Sequence, residues 1–229
     1  MKKLLALLAF VSTSALAIPS EITAEYQLTN RGITIGRVSE TFVRKGDSYA
    51  ISSVSRSEGI LKALYDEQIT LQSAGRVNAA GLQPLQFDER RTRESKRDVN
   101  ATFDWERGVM HSRFRGEVSQ HALPRETQDR ISMMYQFMHL QPRSGNLVMS
   151  MSNGRKVEGY TYRVVDEVRL ATPMGEFETL HLERVTSTPK ESKVEVWLSK
   201  QHHNFPVRVV FDDPRGLRLE QTIVALQAR

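Results

Sequence analysis

Residues 124–140 read PRETQDRISMMYQFMHL, and this stretch is the exception in a chain that otherwise reads as short strands. Four of its apolar residues recur at spacings of three and four, which places them on one face of a helix: Ile131, Met134, Tyr135 and Met138. Met133, Phe137 and Leu140 widen that face, so such a helix must be covered on several sides. We therefore predict one main α-helix, at about residues 125–140, packed in or across the concave side of a curved sheet.

The N-terminal residues 1–17 have the pattern of a secretory signal peptide. Two lysines precede the apolar run Leu4–Val11, which is too short to span a bilayer. Ala15-Leu16-Ala17 is a small-x-small cleavage site, so we predict cleavage after Ala17, with an uncleaved anchor as the alternative. No second long apolar run follows. We therefore expect an exported protein, in the periplasm of a Gram-negative cell, with no transmembrane segment in the mature chain.

The rest of the chain, residues 18–229, is predicted to be a single β-rich domain, because all-β sandwiches and barrels reach this size. No Ser/Gly/Pro-rich linker or low-complexity tract divides it. The chain has no cysteine, so its stability must come from its core, which this length allows. Without Lys2 and Lys3 the formal net charge of +5 becomes +3. This mild basicity is compatible with anionic partners or peripheral membrane contact, whereas the exported address argues against nucleic acid.

Alternation of apolar and polar residues, interrupted by Gly, Asn and Asp, predicts antiparallel strands along most of the chain. The pattern is clearest in the last third, at residues 194–198, 207–211 and 217–223. Roughly a dozen strands are expected, and a sheet of that size curls, splits or closes because its twist accumulates. The predicted fold class is all-β and mainly antiparallel: a large curved sheet forming an open or half-closed barrel, with a two-sheet sandwich as second choice.

Several short motifs occur in a shared order along the mature chain. They are Gly81-Leu82-Gln83-Pro84, the following Phe87 and basic cluster, Phe103-Asp104-Trp105, Gln128-Asp129-Arg130-Ile131-Ser132, Thr172-Pro173-x-Gly175 with Thr179-Leu180-His181-Leu182, and Val196-Trp197-Leu198 ahead of Pro206-Val207-Arg208. In these motifs the chain resembles the exported proteobacterial proteins grouped as domain of unknown function 3108. The resemblance implies export and one β-rich domain, and it implies no activity, catalytic residue or cofactor.

Motifs of the common catalytic classes are missing from the sequence: it has no Gly-x-Ser-x-Gly, no Gly-rich phosphate loop and no His-Glu-x-x-His. His202 and His203 are adjacent, so on a strand they would point to opposite faces and could share a metal only in a turn. Asp129 complements the dipole at the start of the predicted helix and is expected to pair with Arg125 or Arg130. We predict no catalytic residue, no metal site and no cofactor.

Methionines are concentrated on the predicted helix and the strand after it: Met133, Met134, Met138, Met149 and Met151. Methionine suits surfaces that fit variable apolar shapes, and small-molecule pockets are mostly apolar and concave. A loosely specified core is the alternative. Trp105 and Trp197 are either core residues or a ligand wall. The charged stretch 88–98 is either a solvated hairpin or a patch for anionic headgroups.

Three functional hypotheses follow, in order of preference. The first is a non-enzymatic periplasmic protein that binds a hydrophobic ligand, such as a lipid or acyl chain, through these candidates: Met133, Met134, Phe137, Met138, Trp105, Trp197, Arg90, Arg91 and Arg93. The second is a cell-envelope interaction or scaffold module, in which the core is filled and an exposed strand edge or patch contacts an envelope protein. The third is an envelope-polymer hydrolase, which would need Asp129, Asp104 or a histidine beside a second titrating group.

Overall fold

The computed structural model describes residues 18–140, 142 and 144–229, so the predicted signal peptide lies outside the described residues. One sheet contains fifteen strands in this part of the chain. The strands are β1 Glu21–Asn30, β2 Ile33–Lys45, β3 Ser48–Ser57, β4 Gln68–Asn78, β5 Gly81–Arg91, β6 Val99–Asp104, β7 Val109–Phe114, β8 Glu117–Ala122, β9 Gln128–Asp129, β10 Asn146–Ser152, β11 Val157–Thr172, β12 Gly175–Arg184, β13 Lys193–Ser199, β14 Phe205–Asp212 and β15 Arg218–Ala228.

Two short α-helices and three 3-10 turns complete the secondary structure of the described residues. The helices are α1 Gly59–Leu64 and α2 Ser132–Gln136. The 3-10 turns are Ser95–Arg97, Phe137–His139 and Lys200–His202. The chain is therefore mostly strand, as the alternating sequence pattern predicts.

The strands follow each other as a meander in two runs that meet at the middle of the sheet. The order is β8-β7-β6-β5-β4-β3-β2-β1-β15-β14-β13-β12-β11-β10-β9. Neighbouring strands are antiparallel, except that β9 runs parallel to β10. Strands β8 and β9 are the two edges, so the sheet is open and does not close into a barrel. The predicted open, mainly antiparallel curved sheet is confirmed.

One face of the sheet is buried and encloses the core, because the strands alternate in polarity as the sequence pattern predicts. On β1, Ile22, Ala24 and Tyr26 are buried, whereas Thr23 between them is exposed. Residues at equivalent positions on the other strands join them on the concave side. The core therefore lies inside the curl of a single sheet, which favours the first predicted architecture over the sandwich.

The helix predicted at 125–140 is much shorter than expected, since α2 begins at Ser132 and Phe137–His139 continues it as a 3-10 turn. Glu126 has a positive φ of 61°, which an α-helix does not allow. Gln128 and Asp129 instead pair with Met151 and Ser152 as strand β9. Long-range pairing thus overrides local helix propensity in the first half of the segment.

The helical segment lies across the hollow of the sheet, as predicted. The Tyr135 ring stacks on Phe42 of β2 with centroids 5.2 Å apart and meets Phe205 of β14 edge-on at 5.6 Å. Phe137 packs edge-on against Tyr162 of β11 at 5.7 Å. One short helix therefore contacts strands from both halves of the sheet.

Curling brings the two ends of the sheet together, and side-chain hydrogen bonds join them there. Among the described residues, no ladder of backbone hydrogen bonds connects these two ends. The Ser112 hydroxyl of β7 donates to the Gly154 carbonyl at 2.5 Å, next to the end of β10. Gln128 Nε2 donates to the Leu82 carbonyl at 2.7 Å, and the Leu82 amide donates to Gln136 Oε1 at 2.8 Å. We call this set of contacts the seam. Because the seam joins the two ends of the sheet, the open sheet resembles a barrel.

Candidate functional site

A cavity of about 840 Å³ opens to solvent inside the curl of the sheet, beside α2. Strands from both halves of the sheet form its walls, because the helical segment covers only part of the concave face. The apolar lining is extensive and consists of Leu28, Val38, Leu71, Val99, Phe114, Ile131, Met133, Met134, Met151, Tyr160, Tyr162, Val194, Val209, Phe211 and Leu219. A concave, mainly apolar site of this size is typical of a small-molecule pocket.

Charged side chains also line the cavity, and basic ones outnumber acidic ones. The basic residues are Arg91, Arg97, Arg130, Arg155, Lys156, Arg184, Lys190 and Arg215, and the acidic ones are Glu40, Glu89, Glu158 and Glu191. Walls with an excess of one charge concentrate ligands of the opposite sign. The cavity therefore combines an apolar surface with a positive field.

Two arginines share one buried carboxylate in the cavity wall. Arg91 Nη2 lies 2.6 Å from Glu89 Oε1, and Arg130 Nη1 lies 2.9 Å from Glu89 Oε2. The Glu89 side chain is only 6% exposed, whereas that of Arg130 is 44% exposed. Because one carboxylate neutralises only one guanidinium, this group carries a net positive charge next to solvent.

A second buried carboxylate, Glu40, faces the cavity from β2. Its Oε1 accepts a hydrogen bond from the Ser53 hydroxyl at 3.0 Å, and its Oε2 accepts one from the Tyr135 hydroxyl at 3.2 Å. Burial raises the pKa of Glu40 from 4.5 to about 7, and hydrogen bonds from Ser53, Tyr135 and Gln221 oppose that rise. Glu40 is therefore an uncharged or partly charged polar group at neutral pH.

Tyr160 of β11 lies among several cations at the cavity wall. The Arg184 guanidinium carbon is 4.1 Å from the centre of the Tyr160 ring. Burial raises the pKa of Tyr160, and the Glu158 carboxylate raises it as well, whereas Arg184, Lys156 and Arg130 lower it. Lys156 Nζ pairs with Glu158 at 2.8 Å. Arg184 is held by the Ser192 carbonyl at 3.1 Å and by a Glu191 carboxylate oxygen at 3.3 Å.

The structure brings three of the predicted site residues to the cavity: Met133, Met134 and Arg91. Phe137 and Met138 are instead core residues, respectively 0% and 6% exposed, and they do not line it. Both belong to the 3-10 turn that follows α2 and pack within the hydrophobic core, Phe137 against Tyr162.

The two tryptophans occupy structural positions away from the cavity lining. Trp105 Nε1 donates to the Pro84 carbonyl at 2.6 Å, and its ring stacks on Phe103 with centroids 6.3 Å apart. Trp197 stacks on His181 at 4.3 Å, on the face of the sheet that also carries Arg208. Core packing and a surface stack account for these residues better than a ligand wall.

The other two predicted arginines do not line the cavity. Arg93 is over the Tyr65 ring, 4.8 Å from its centre. Arg90 pairs with Asp88 at 3.2 Å and lines a surface groove of about 650 Å³ with Lys96, Arg113 and other basic residues. Arg97 lines both this groove and the cavity, so the positive surface continues from one to the other.

Asp129 has a structural environment, and the ion pair predicted with Arg125 or Arg130 is wrong. Its Oδ1 accepts from the backbone amides of Ile131 and Ser132 at 3.0 and 2.8 Å, and its Oδ2 accepts from the Ser73 hydroxyl at 2.5 Å. Arg130 turns to Glu89 instead. Asp129 is 0% exposed and does not line the cavity.

A histidine cluster on the outer face was not foreseen from the sequence. His181 Nδ1 lies 3.2 Å from Asp166 Oδ1, and its Nε2 lies 3.1 Å from Glu195 Oε2. His181, Glu183 and Glu195 each have one ligand atom close enough to the others to hold a divalent cation, although Glu183 also pairs with Arg163 at 3.0 Å. His202, considered with His203 in the sequence, packs on Phe177 at 5.7 Å.

Sequence reasoning missed Glu40, Tyr160 and Arg184, although the alternation pattern contains a signal for two of them. Glu40 occupies an inward position between Val38 and Phe42, where an acidic residue is unusual. Arg184 continues the inward positions of Leu180 and Leu182. A charged residue at a position where the alternation predicts a core residue was therefore the sequence signal for these two cavity residues.

None of the helices in the described ranges is long and apolar enough to cross a membrane. Together, the fold and the cavity define an open, barrel-like antiparallel sheet that encloses a solvent-accessible, partly basic pocket. The sequence of residues 25–222 matches the model of the family described as protein of unknown function DUF3108, and the chain belongs to that family.

Among solved structures, the chain is similar to a beta-barrel-like protein of domain of unknown function DUF1849 from Brucella abortus. The TM-score is 0.60 with 13% sequence identity, and the similarity covers 93% of this chain and 99% of that one. At this identity the similarity supports the fold alone. No match was found among curated proteins.

Proposed function

We propose that this protein is a non-enzymatic binding protein of the periplasm that holds a hydrophobic ligand, such as a lipid or acyl chain, inside its open sheet. The cavity of about 840 Å³ is the observation that carries the proposal, because its lining is mostly apolar and it is accessible from solvent. The signal-peptide pattern at residues 1–17 supports the periplasmic address.

The methionines give the cavity an adaptable wall. Met133 and Met134 of α2 and Met151 of β10 line it from one side. Unbranched, polarizable side chains adjust to ligands of different shape at little cost in strain. Val194, Phe211 and other residues of the C-terminal strands complete the apolar surface. An acyl chain would bury its methylene groups against this wall, each contributing about 0.8 kcal/mol.

Native mass spectrometry of protein purified from a periplasmic extract without detergent tests the proposal. We expect a stoichiometric apolar molecule that solvent extraction releases and lipid analysis identifies. Met134→Glu and Met151→Glu place charges on the cavity wall and should abolish retention of that molecule. A bare protein mass that persists after incubation with envelope lipids would refute ligand binding.

The matched control is Val148→Glu. Val148 lies on β10 beside Met149 and is 76% exposed, so a carboxylate there meets only solvent. It should retain the ligand as well as the unchanged protein. Circular dichroism of all three variants would establish that loss of ligand does not result from unfolding.

A second candidate function, an envelope interaction module, is favoured by the free edge strand β8. Most of Glu117–Ala122 is exposed, including Val118 at 66%, and among the described residues β8 pairs on one side only. A partner could add a strand to this edge through main-chain hydrogen bonds. Val118→Pro would block that addition. Cross-linking that captures the same envelope protein with and without this substitution would exclude an edge-mediated contact.

A further inference from the structure

We propose that the cavity selects amphipathic anions, whose acidic group binds beside Tyr160 between Arg130, Arg184 and Lys156 while the apolar chain packs against Met134. This inference rests on the proposed function, because it concerns the same cavity, and it specifies the class of ligand. The acidic group is a carboxylate or a phosphate monoester, both of which accept hydrogen bonds from arginine and lysine.

The first argument is the unbalanced charge around Glu89. Arg91 directs both Nε and Nη2 to this carboxylate, at 2.8 and 2.6 Å, and therefore provides most of its neutralisation. Arg130 uses only Nη1 for Glu89, and no other side-chain hydrogen bond of Arg130 occurs within the described ranges. Its remaining N–H groups are available to a ligand, and its side chain is 44% exposed.

The second argument is the set of unused donors near Tyr160. The Tyr160 hydroxyl makes no hydrogen bond to the residues that the structure describes, and it lies in the field of three cations and one carboxylate, Glu158. Arg184 Nε is buried and has no hydrogen-bond partner within the same residues. A donor without a partner costs free energy where water is excluded. Arg184 Nε is too buried to reach a ligand, so a ligand oxygen would gain its hydrogen bond from the hydroxyl of Tyr160, which belongs to the cavity lining.

The third argument is that two further cations on the cavity lining have no carboxylate within 4 Å in the described part of the chain. They are Arg155, which packs over Phe114 at 4.9 Å, and Lys190. Together with the group around Glu89, these residues give the lining more basic than acidic side chains. The surplus leaves a positive field at an apolar pocket, which fits a molecule with an anionic head and an apolar chain.

Three ligands of equal chain length distinguish recognition of charge from recognition of the chain: decanoate, decyl phosphate and decanol. Their affinities for the delipidated mature protein are measured by calorimetry at neutral pH, at low and high salt. We expect at least one acid to bind about tenfold or more tightly than decanol, since charge-assisted hydrogen bonds are stronger than neutral ones. Salt should weaken only the acids.

Arg130→Gln and Lys156→Gln should each reduce the affinity for the preferred acid while leaving decanol binding unchanged. Lys156 is a safe choice for folding because its side chain is 55% exposed and its ion pair with Glu158, at 2.8 Å, is an exposed one. The matched control is Arg163→Gln, on β11 like Tyr160 but 59% exposed and paired with Glu183 on the outer face. Its affinities should equal those of the unchanged protein.

The outcomes separate the two proposals. Equal affinity for all three ligands would overturn the anion site and leave hydrophobic binding standing. Failure of all three to bind would refute both. If Arg130→Gln and Lys156→Gln both still bound the acid more tightly than decanol by the original factor, the assigned site would be overturned. A preference for decyl phosphate or for decanoate would support the site and identify which headgroup it takes.

Discussion

Asp129 organises the start of the helical segment, and it does so as a buried acceptor. Its two oxygens take hydrogen bonds from the amides of Ile131 and Ser132 and from the hydroxyl of Ser73. The Ser132 hydroxyl in turn accepts from the Asp129 amide at 2.9 Å. This reciprocal arrangement fixes where β9 ends and α2 begins.

Asp129→Ala should destabilise the fold by about 3 kcal/mol or more, because it leaves Ser73 and two buried amides without acceptors. Asp129→Asn keeps one acceptor and should cost less. Urea unfolding followed by circular dichroism measures both changes. The control is Asp47→Ala in the exposed turn before β3, which should change stability little. Equal effects of the two alanine substitutions would contradict the assigned role.

Glu40 should make the protein less stable as the pH rises. Its pKa is 4.5 when exposed and about 7 in the fold. Between these values the unfolded chain loses the proton and the folded chain keeps it, so stability falls with rising pH by about 1.4 kcal/mol per unit. Below the lower value and above the higher one, Glu40 contributes no slope.

The measurement is the free energy of unfolding in urea from pH 4 to pH 9 for the unchanged protein and Glu40→Gln. The variant cannot ionise at this position, so the difference between the two profiles isolates Glu40. Burial raises the pKa of Asp129 in the same direction, and that contribution is common to both proteins. Parallel profiles would show that Glu40 does not titrate in this window.

The turn between β10 and β11 closes the seam of the sheet, and Gly154 is required there on two grounds. Its φ is +79°, and a Cβ would lie 2.5 Å from Val99 Cγ1 and 3.0 Å from the Phe87 ring. Gly154→Ala should therefore lower the free energy of unfolding by about 2 kcal/mol or more, because it adds a steric clash to the backbone strain. Thermal unfolding measures the loss.

Gly116 supplies the matched control, because its φ is +81° and no atom of the residues that the structure describes lies within 4 Å of an added Cβ. Gly116→Ala introduces the backbone strain without the clash. It should therefore lower the free energy of unfolding by less, about 1 kcal/mol. If the two substitutions proved equally costly, Val99 and Phe87 would have to move aside for the added Cβ, and the expected clash at Gly154 would be refuted.

Local patterns predicted the strands well and the helix only in part. The apolar spacing of 131–138 indicated a helix, and α2 with its 3-10 turn occupies that range. The first half of the segment is extended, because Gln128 and Asp129 pair with β10, which follows in the chain. A two-residue parallel bridge depends on where the curled sheet brings its edges together, and no local spacing encodes that.

The candidate site was predictable in character but not in position. The methionine cluster indicated an apolar pocket beside the helix, and Met133 and Met134 line one. Phe137 is also apolar and lies four residues after Met133, on the same helical face, but it does not line the cavity. Which inward residues face the cavity depends on how much of the concave face the helix covers, and this follows from packing rather than from sequence periodicity.

The whole sheet depends on the pairing of β1 with β15, which joins two meanders of β1–β8 and β9–β15. Tyr135 reinforces that union, because its ring stacks on Phe42 of the first meander and meets Phe205 of the second. Its hydroxyl also donates to Glu40 at 3.2 Å. The two meanders therefore share a core and should not be stable apart.

We expect residues 18–229 to unfold as one cooperative unit, and the two tryptophans allow a direct test. Trp105 lies in the first meander and Trp197 in the second. In Trp197→Phe the fluorescence reports from Trp105, and in Trp105→Phe it reports from Trp197. In each variant the fluorescence and far-UV dichroism transitions in urea should coincide, as two-state unfolding requires.

Tyr135→Ala sharpens this test, because it removes the ring that contacts both meanders. It should lower stability by about 3–5 kcal/mol, the cost of truncating a large buried aromatic residue. Placed in each single-tryptophan protein, it should shift both reporters together, since a shared core loses its packing on both sides at once. A shift confined to Trp105 or to Trp197 would mean that the meanders are separate folding units, joined at β1 and β15 without a common core.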